Sequence, residues 1–261
     1  MIRLDTALVL RGLAETQDLA QRLVIAGKVR VDGQLAVAPS LKIADDASLN
    51  VDAGRRYVSR GGDKLAGAID AFSVPVQGRV CADAGASTGG FTDCLLQHGA
   101  EKVYAIDVGH GILAWKLRND PRVIVMEKTN ARHVKKLPEP INLVVIDTSF
   151  ISLKVLLPVV KNWLPSPVSG GGGDLIALIK PQFEATREEA NLGKGVIRDT
   201  EIHQRILREI VGFAQAEGFS LRGLIRSPIQ GPKGNIEFLA WLRVEEAMEQ
   251  EAVINSILKV L

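Results

Sequence analysis

The stretch Val80 to Leu96, VCADAGASTGGFTDCLL, restricts the fold more than any other part of this chain. A short apolar run ends in an acid, crosses a cluster of glycines and small residues, and enters an amphipathic segment, the order strand, tight turn, helix. Gly85, Gly89 and Gly90 let a backbone turn sharply and approach a ligand, and the helix that follows offers unpaired N–H groups at its start. The next apolar run, KVYAID from Lys102, closes on Asp107, 22 residues after Gly85. A carboxylate there can take both hydroxyls of a ribose. This is the pattern of a nucleotide cradle. Ala86, Ser87 and Thr88 separate Gly85 from Gly89, however, and that spacing does not fit the G-x-G-x-x-G of dinucleotide enzymes.

The chain has 261 residues and is 46% apolar, enough for one large or two modest domains with full cores. No run approaches the roughly 18 apolar residues of a membrane helix. Arg3, Asp5 and Arg11 interrupt the start, where a secretory leader would be uncharged, so a cytoplasmic protein is expected. Cys81 and Cys94 are too few for a disulfide framework and are expected as buried thiols. The four histidines show no ligand spacing, so no metal is expected. A net charge of +2 is too small to argue for nucleic acid by itself. Residues 1–60 nevertheless hold nine Lys and Arg against seven Asp and Glu, while the remainder balances at 23 of each.

From Arg3 to Ile25 the apolar spacing predicts two short helices, with Thr16 and Asp18 placed to cap the second. VRVDGQLAV alternates about Asp32-Gly33, a hairpin signal; Pro39 to Asp46 reads as a polar loop and ASLNV as a return strand. RLDTALVLRGLAETQDLAQRLVIAGKVRVDGQ, followed by Pro39-Ser40 and a closing DDASLNV, resembles the alpha-L RNA-binding module first described in a small-subunit ribosomal protein. The resemblance implies a small α+β domain over 1–56 that presents Arg3, Arg22, Lys28 and Arg30 to RNA phosphates. Residues 57–62, within the basic and glycine-punctuated run from Asp52 to Gly62, have the composition of a flexible linker carrying Arg60 as a further RNA contact.

From Asp63 onward helical and strand patterns alternate. DKLAGAIDAF is a helix; RVIVME, NLVVID, DLIALIK, FSLRGLIRS and NIEFLAWLR are strands after the cradle and Asp107; helical stretches run over 111–118, 151–163 and 201–217. Gly170 to Gly173 reads as a surface loop, and the tail from Glu245 as a packing helix. Alternation of this kind predicts an α/β domain over 63–261, a mostly parallel sheet with helices on both faces and a ligand crevice at the strand carboxyl ends.

Charged residues that close apolar strands line such a crevice, and Asp107, Asp147 and Lys180 stand in those places. With Asp147 and Lys180, Lys64 on the entering helix and Glu237 inside the last strand make two cations and two anions on one sheet, a rare burial unless paired. The cradle, DAGASTGGFT, resembles the first motif of S-adenosylmethionine-dependent methyltransferases, in particular the FtsJ-like ribose methyltransferases. Lys64, Asp147, Lys180 and Glu237 resemble their catalytic tetrad. Together with YVSRGGDKL, IDTSFIS, KPQFE and GKGVIRD the likeness is close to the TlyA family of ribosomal RNA 2′-O-methyltransferases, and it runs to about Arg243.

That resemblance implies a seven-stranded Rossmann-like domain that binds S-adenosylmethionine and takes ribosomal RNA as partner. Asp83, Gly85, Ala86, Ser87, Thr88, Gly89 and Phe91 would hold the methionyl part, Asp107 the ribose, and Val108 and Asn130 the adenine. Lys180 would orient and deprotonate the 2′-hydroxyl, and the two carboxylates would hold the two amines. Gln182, Phe183, Glu184 and the loop through Lys194 and Gly195 would border the RNA entry. Three other readings stand beside it: methylation of a base or a small molecule, a non-catalytic ribosome binder with a vestigial cradle, and a membrane-acting hemolysin, a name some members of that family carry. No membrane partner is expected, and the oligomeric state is not legible in the sequence.

Overall fold

The computed structural model describes residues 1–52, 54–165 and 172–245, and the chain divides into two compact units, Met1–Arg56 and Tyr57–Leu261. The first contains β1 (Ile2–Arg3), α1 (Leu4–Leu10), α2 (Gln17–Ile25), β2 (Val29–Val31), β3 (Gln34–Leu35), β4 (Lys42–Ile43) and β5 (Leu49–Val51). Leu4, Leu8, Ala20 and Val24 share the inner faces of the two helices and meet Val29 and Ile43 in one small core. Thr16 caps α2 by accepting from Leu19 N at 3.2 Å, whereas Asp18 pairs with Arg22 one turn on. The hairpin forms as the alternation predicts, Arg30 opposite Leu35 and Val31 opposite Gln34, and β5 returns antiparallel on the other edge of β2. One correction falls on the loop after Pro39, where Lys42–Ile43 pairs with β1, a two-residue ladder too short for periodicity to reveal.

The second unit contains α3 (Gly61–Phe72), β6 (Val80–Ala84), α4 (Gly90–Gln97), β7 (Lys102–Ile106), α5 (Trp115–Arg118), β8 (Val123–Met126), β9 (Leu143–Ile146), α6 (Leu153–Lys161), β10 (Asp174–Ile179), α7 (Pro181–Glu184), α8 (Arg187–Leu192), α9 (Thr200–Ala216), β11 (Phe219–Arg226) and β12 (Phe238–Val244). Its seven strands lie in the order β11, β12, β10, β9, β6, β7, β8, parallel except for β12, which runs antiparallel to both its neighbours. Successive strand residues point to opposite faces. Cys81, Leu143, Val145, Ile176 and Leu178 therefore pack with α3 and α4, while Ala82, Ala84, Val144, Ile146, Leu175 and Ala177 pack with α6 and α9. A sheet apolar on both faces needs helices on both. The strand order reverses between β6 and β9, and ligand crevices of such sheets open at that point, outside the strand carboxyl ends.

Three expectations change. The stretch 57–62 is not a free linker: Tyr57 is enclosed in the core of the second unit, Val58 N donates to Asp93 at 2.8 Å, and α3 already begins at Gly61. Gly62 permits this, because a Cβ there would overlap the Tyr57 ring. Glu237 sits just before β12 rather than within it, so its carboxylate does not interrupt the strand. The helix expected over 111–118 is confined to Trp115–Arg118, since the preceding loop is instead pinned by Glu127, which accepts from Gly111 N at 2.8 Å and pairs with Arg118 and His110. The tail expected as a packing helix lies, beyond Glu245, outside the described residues, as do Gly170 and Gly171.

Candidate active site

The glycine turn does what its spacing requires. Gly85 takes φ +94°, and a Cβ there would lie 2.7 Å from the Asp147 carbonyl oxygen, so two strand ends approach each other only because the side chain is missing. Gly85 N and Ala86 N both donate to Ile106 O, at 2.8 and 3.1 Å, which ties the turn to β7. The Asp107 carboxylate accepts from Ser87 N at 2.8 Å and Gly109 N at 2.7 Å, fixing its orientation while each oxygen keeps a free lone pair. Gly85, Ser87, Asp107, Val108 and Asn130 line a cavity of 520 Å³, joined by Thr129, Arg132 and the loop after β9. Asn130 has two duties: its side chain accepts from Arg132 N at 3.2 Å, capping a short 3₁₀ turn, and it also walls the cavity.

A second cavity, of 460 Å³, adjoins the first and shares Asp147, Ser149 and Phe150 with it. Lys64, Asp147, Lys180 and Glu237 all line it. They come from α3, the residues just after β9 and β10 and the residue just before β12, and they meet as two ion pairs. Lys64 Nζ bonds Glu237 Oε2, and both side chains are buried. Removing one partner would strand a charge out of water, typically a cost of about 3–5 kcal/mol. Lys180 Nζ forms an ion pair with Asp147 Oδ1 at 2.6 Å and donates to Ser149 Oγ at 3.1 Å, so the amine is held between a carboxylate and a hydroxyl. Gln182 Nε2 reaches the other oxygen of Glu237 at 3.4 Å.

The cofactor candidates divide. Asp83, Ala86, Thr88, Gly89 and Phe91 do not line either cavity. Asp83 is fully enclosed and accepts from Thr92 Oγ1 at 2.7 Å, bracing the first turn of α4 from below; burial pushes its carboxyl up to about 7. Phe91 is a core residue, and Gly89 is the left-handed residue before α4. The RNA candidates divide too. Arg3 bonds the buried Asp5 at 2.7 Å, which raises the guanidinium further and holds the carboxyl well below its usual range. Arg22 pairs with Asp18, and Arg30 donates to Gly33 O at 3.2 Å. Arg3, Arg22, Arg30 and Arg60 are exposed and Lys28 half-buried. Arg11 is structural, its guanidinium tied to the carbonyls of Asp45 and Ala47.

Several side chains at the site carry no periodic signal. Phe150 is 91% exposed at φ +63° and packs on Phe183 with ring centroids 4.9 Å apart, so an apolar surface stands at the mouth of both cavities. An exposed phenylalanine in a polar loop between a strand and a helix was the available clue. Glu184 accepts from Ser152 Oγ at 2.6 Å and Leu153 N at 2.8 Å, clasping the loop that carries Asp147 and Ser149 to the segment that carries Lys180. Burial raises its carboxyl above the ordinary range.

Residues 57–244 match the FtsJ-like methyltransferase family, and residues 2–55 match the S4 domain. The chain is 46% identical over 249 residues to a 16S/23S rRNA (cytidine-2′-O)-methyltransferase TlyA of Mycobacterium tuberculosis, over 93% of this chain and 90% of that one. It is 42% identical over 242 residues to Hemolysin A of Brachyspira hyodysenteriae, over 92% and 98% of the two chains. A solved structure from Streptococcus thermophilus, provisionally named a hemolysin, superposes with a TM-score of 0.73 at 42% identity, over 99% of this chain and 94% of that one. With a Rossmann-like second unit and two cavities meeting at its strand ends, the chain belongs to the TlyA family, an S4 domain followed by an FtsJ-like methyltransferase domain.

Proposed function

We propose that this protein transfers a methyl group from S-adenosylmethionine to a ribose 2′-oxygen of ribosomal RNA. The observation that carries the reading is the convergence of Lys64, Asp147, Lys180 and Glu237 on one cleft that shares a wall with the cradle cavity. The first cavity fits the cofactor: 520 Å³ is in the range of small-ligand sites, Gly85 leaves room where a Cβ would clash, and Asp107 offers oriented acceptors for a ribose. S-adenosylmethionine supplies an electrophilic methyl. Among the expected cofactor residues, Gly85, Ser87, Asp107, Val108 and Asn130 are assigned to binding it, and Asp83, Ala86, Thr88, Gly89 and Phe91 to shaping the turn.

The rest of the chemistry falls to the chain. A ribose hydroxyl is a weak nucleophile, so in-line placement contributes most and proton removal adds to it. Lys180, held in place by Asp147 and Ser149, would take the hydroxyl proton as a neutral amine, its own ammonium proton having first been released to solvent. Lys64, compensated by Glu237, supplies fixed positive charge where negative charge develops on the oxygen. The Phe150–Phe183 face gives the accompanying base an aromatic surface to stack on. The S4 domain, through Arg3, Arg22, Lys28 and Arg30, and Arg60 beyond it, holds structured RNA by its phosphates. Such an enzyme works where ribosomes are, in the cytoplasm.

Incubation of unmodified ribosomal subunits with methyl-labelled cofactor, followed by nucleoside analysis, tests this. Label in a 2′-O-methylnucleoside is expected; label confined to a base overturns it. For the hemolysin reading, no helix among the described residues is long and apolar enough to cross a membrane, and the named relatives include both hemolysin and methyltransferase names. The assembled cleft favours the enzyme.

A further inference from the structure

We propose that the loops 193–197 and 231–235 form a preorganised cationic rim on the catalytic cleft, in which Lys233, with Lys194 nearby, takes the RNA phosphate next to the target ribose. The inference rests on the reading of the cleft as a ribose methylation site.

Asn235 joins the two loops. It is 3% exposed; its Oδ1 accepts from Ile197 N at 3.0 Å, its Nδ2 donates to Gly195 O at 2.9 Å, and its own carbonyl accepts from Gly231 N at 2.9 Å. The partners fix the orientation of the carboxamide, since only its oxygen can accept from an N–H and only its NH₂ can donate to a carbonyl. Ile197 O is in turn 3.0 Å from His203 Nε2, so the pair of loops is anchored to α9. Lys194 holds φ +51°, a conformation that a lysine keeps only where its surroundings impose it.

The charges on this rim are not balanced. Of the lysines that line the cleft, Lys64 faces Glu237 and Lys180 faces Asp147, but Lys233 forms no ion pair among the described residues. Its ammonium lies beside Gly195, close enough that a Cβ there would sit 4.0 Å away, and the adjacent Lys194 is exposed and also without an ion pair among the described residues. Any nucleotide whose 2′-oxygen reaches Lys180 brings the phosphate on its neighbouring 3′-carbon with it. A cation held on a rigid rim meets that phosphate at a smaller ordering cost than one on a mobile loop. A lysine serves here as a point charge, tolerant of the angle of approach.

The test measures initial rates on unmodified ribosomal subunits over a range of RNA and salt concentrations, with cofactor affinity followed by calorimetry. Lys233→Gln is expected to raise KM for RNA about tenfold, as loss of one charge-assisted contact would. The salt slope should become shallower by about 0.7 to 1, the value for one phosphate. Lys233→Arg should keep both within about threefold of wild type. Asn235→Ala, which keeps both lysines, should raise KM in the same direction, its melting temperature reporting whether the fold survives. Unchanged KM and slope in Lys233→Gln, equal losses in the Gln and Arg variants, or weakened cofactor affinity in Lys233→Gln would each overturn the assignment. Failure of the underlying reading shows separately, as absence of ribose label with the wild-type protein.

Discussion

Asp83 is completely enclosed, with one oxygen held by Thr92 and the other without a hydrogen-bond partner, and burial pushes its carboxyl from 3.8 up to about 7. Between those values the folded chain holds a proton that the unfolded chain has released. Stability therefore falls as pH rises through that window, by about 4 kcal/mol at most at 1.36 kcal/mol per unit. Asp83→Asn keeps an acceptor for Thr92 and cannot ionise. It should raise the melting temperature above about pH 7 while changing little near pH 4, and parallel wild-type and variant curves would refute this. Ser149 invites a different experiment, because its hydroxyl is one of two groups that fix the Lys180 amine. Ser149→Ala should lower kcat about tenfold, roughly the worth of one such hydrogen bond, with cofactor affinity unchanged, and Ser149→Thr should restore most of it. A rate within twofold of wild type for the alanine variant would show that Asp147 alone suffices.

The turn between β6 and α4 brings three strand ends together, and Gly85 is the point at which its backbone presses on the backbone after β9. Gly85→Ala would force a Cβ against the Asp147 carbonyl, displacing the cradle from the very residue that holds Lys180. Cofactor affinity by calorimetry should fall tenfold or more, and an unchanged Kd would mean that the cofactor does not use this turn. The turn, the strands and Asp107, Asp147 and Lys180 were all legible in the sequence, since each acid or lysine ends an apolar run and apolar runs report burial directly. Glu237 was legible as a residue that had to be paired, though not as one lying before its strand. What escaped was set by tertiary meetings of loops. Nothing local marks Asn235 as a bridge to Gly195 and Ile197, or Glu184 as the clasp on Ser152 and Leu153. Tyr57 escaped for the opposite reason: one aromatic in a glycine and arginine run was outweighed by its neighbours, yet it packs into the second core.

The two units have separate cores and, in this reading, separate tasks. Residues 57–261 alone should bind S-adenosylmethionine with the affinity of the whole chain, because every cradle residue belongs to the second unit. The same fragment should show a KM for ribosomal subunits at least tenfold higher and a shallower salt slope, having lost the phosphate contacts of the S4 domain. An unchanged KM would remove RNA holding from the first unit. The reading as a whole depends on two amines and two carboxylates acting together on one hydroxyl. Single-turnover transfer to unmodified ribosomal subunits by Lys180→Ala, at saturating cofactor and RNA, addresses that dependence directly. A fall of about 10² to 10⁴ in rate, the usual contribution of a positioned acid–base group, with cofactor affinity intact, is the predicted result; ribose methylation at the wild-type rate would contradict it.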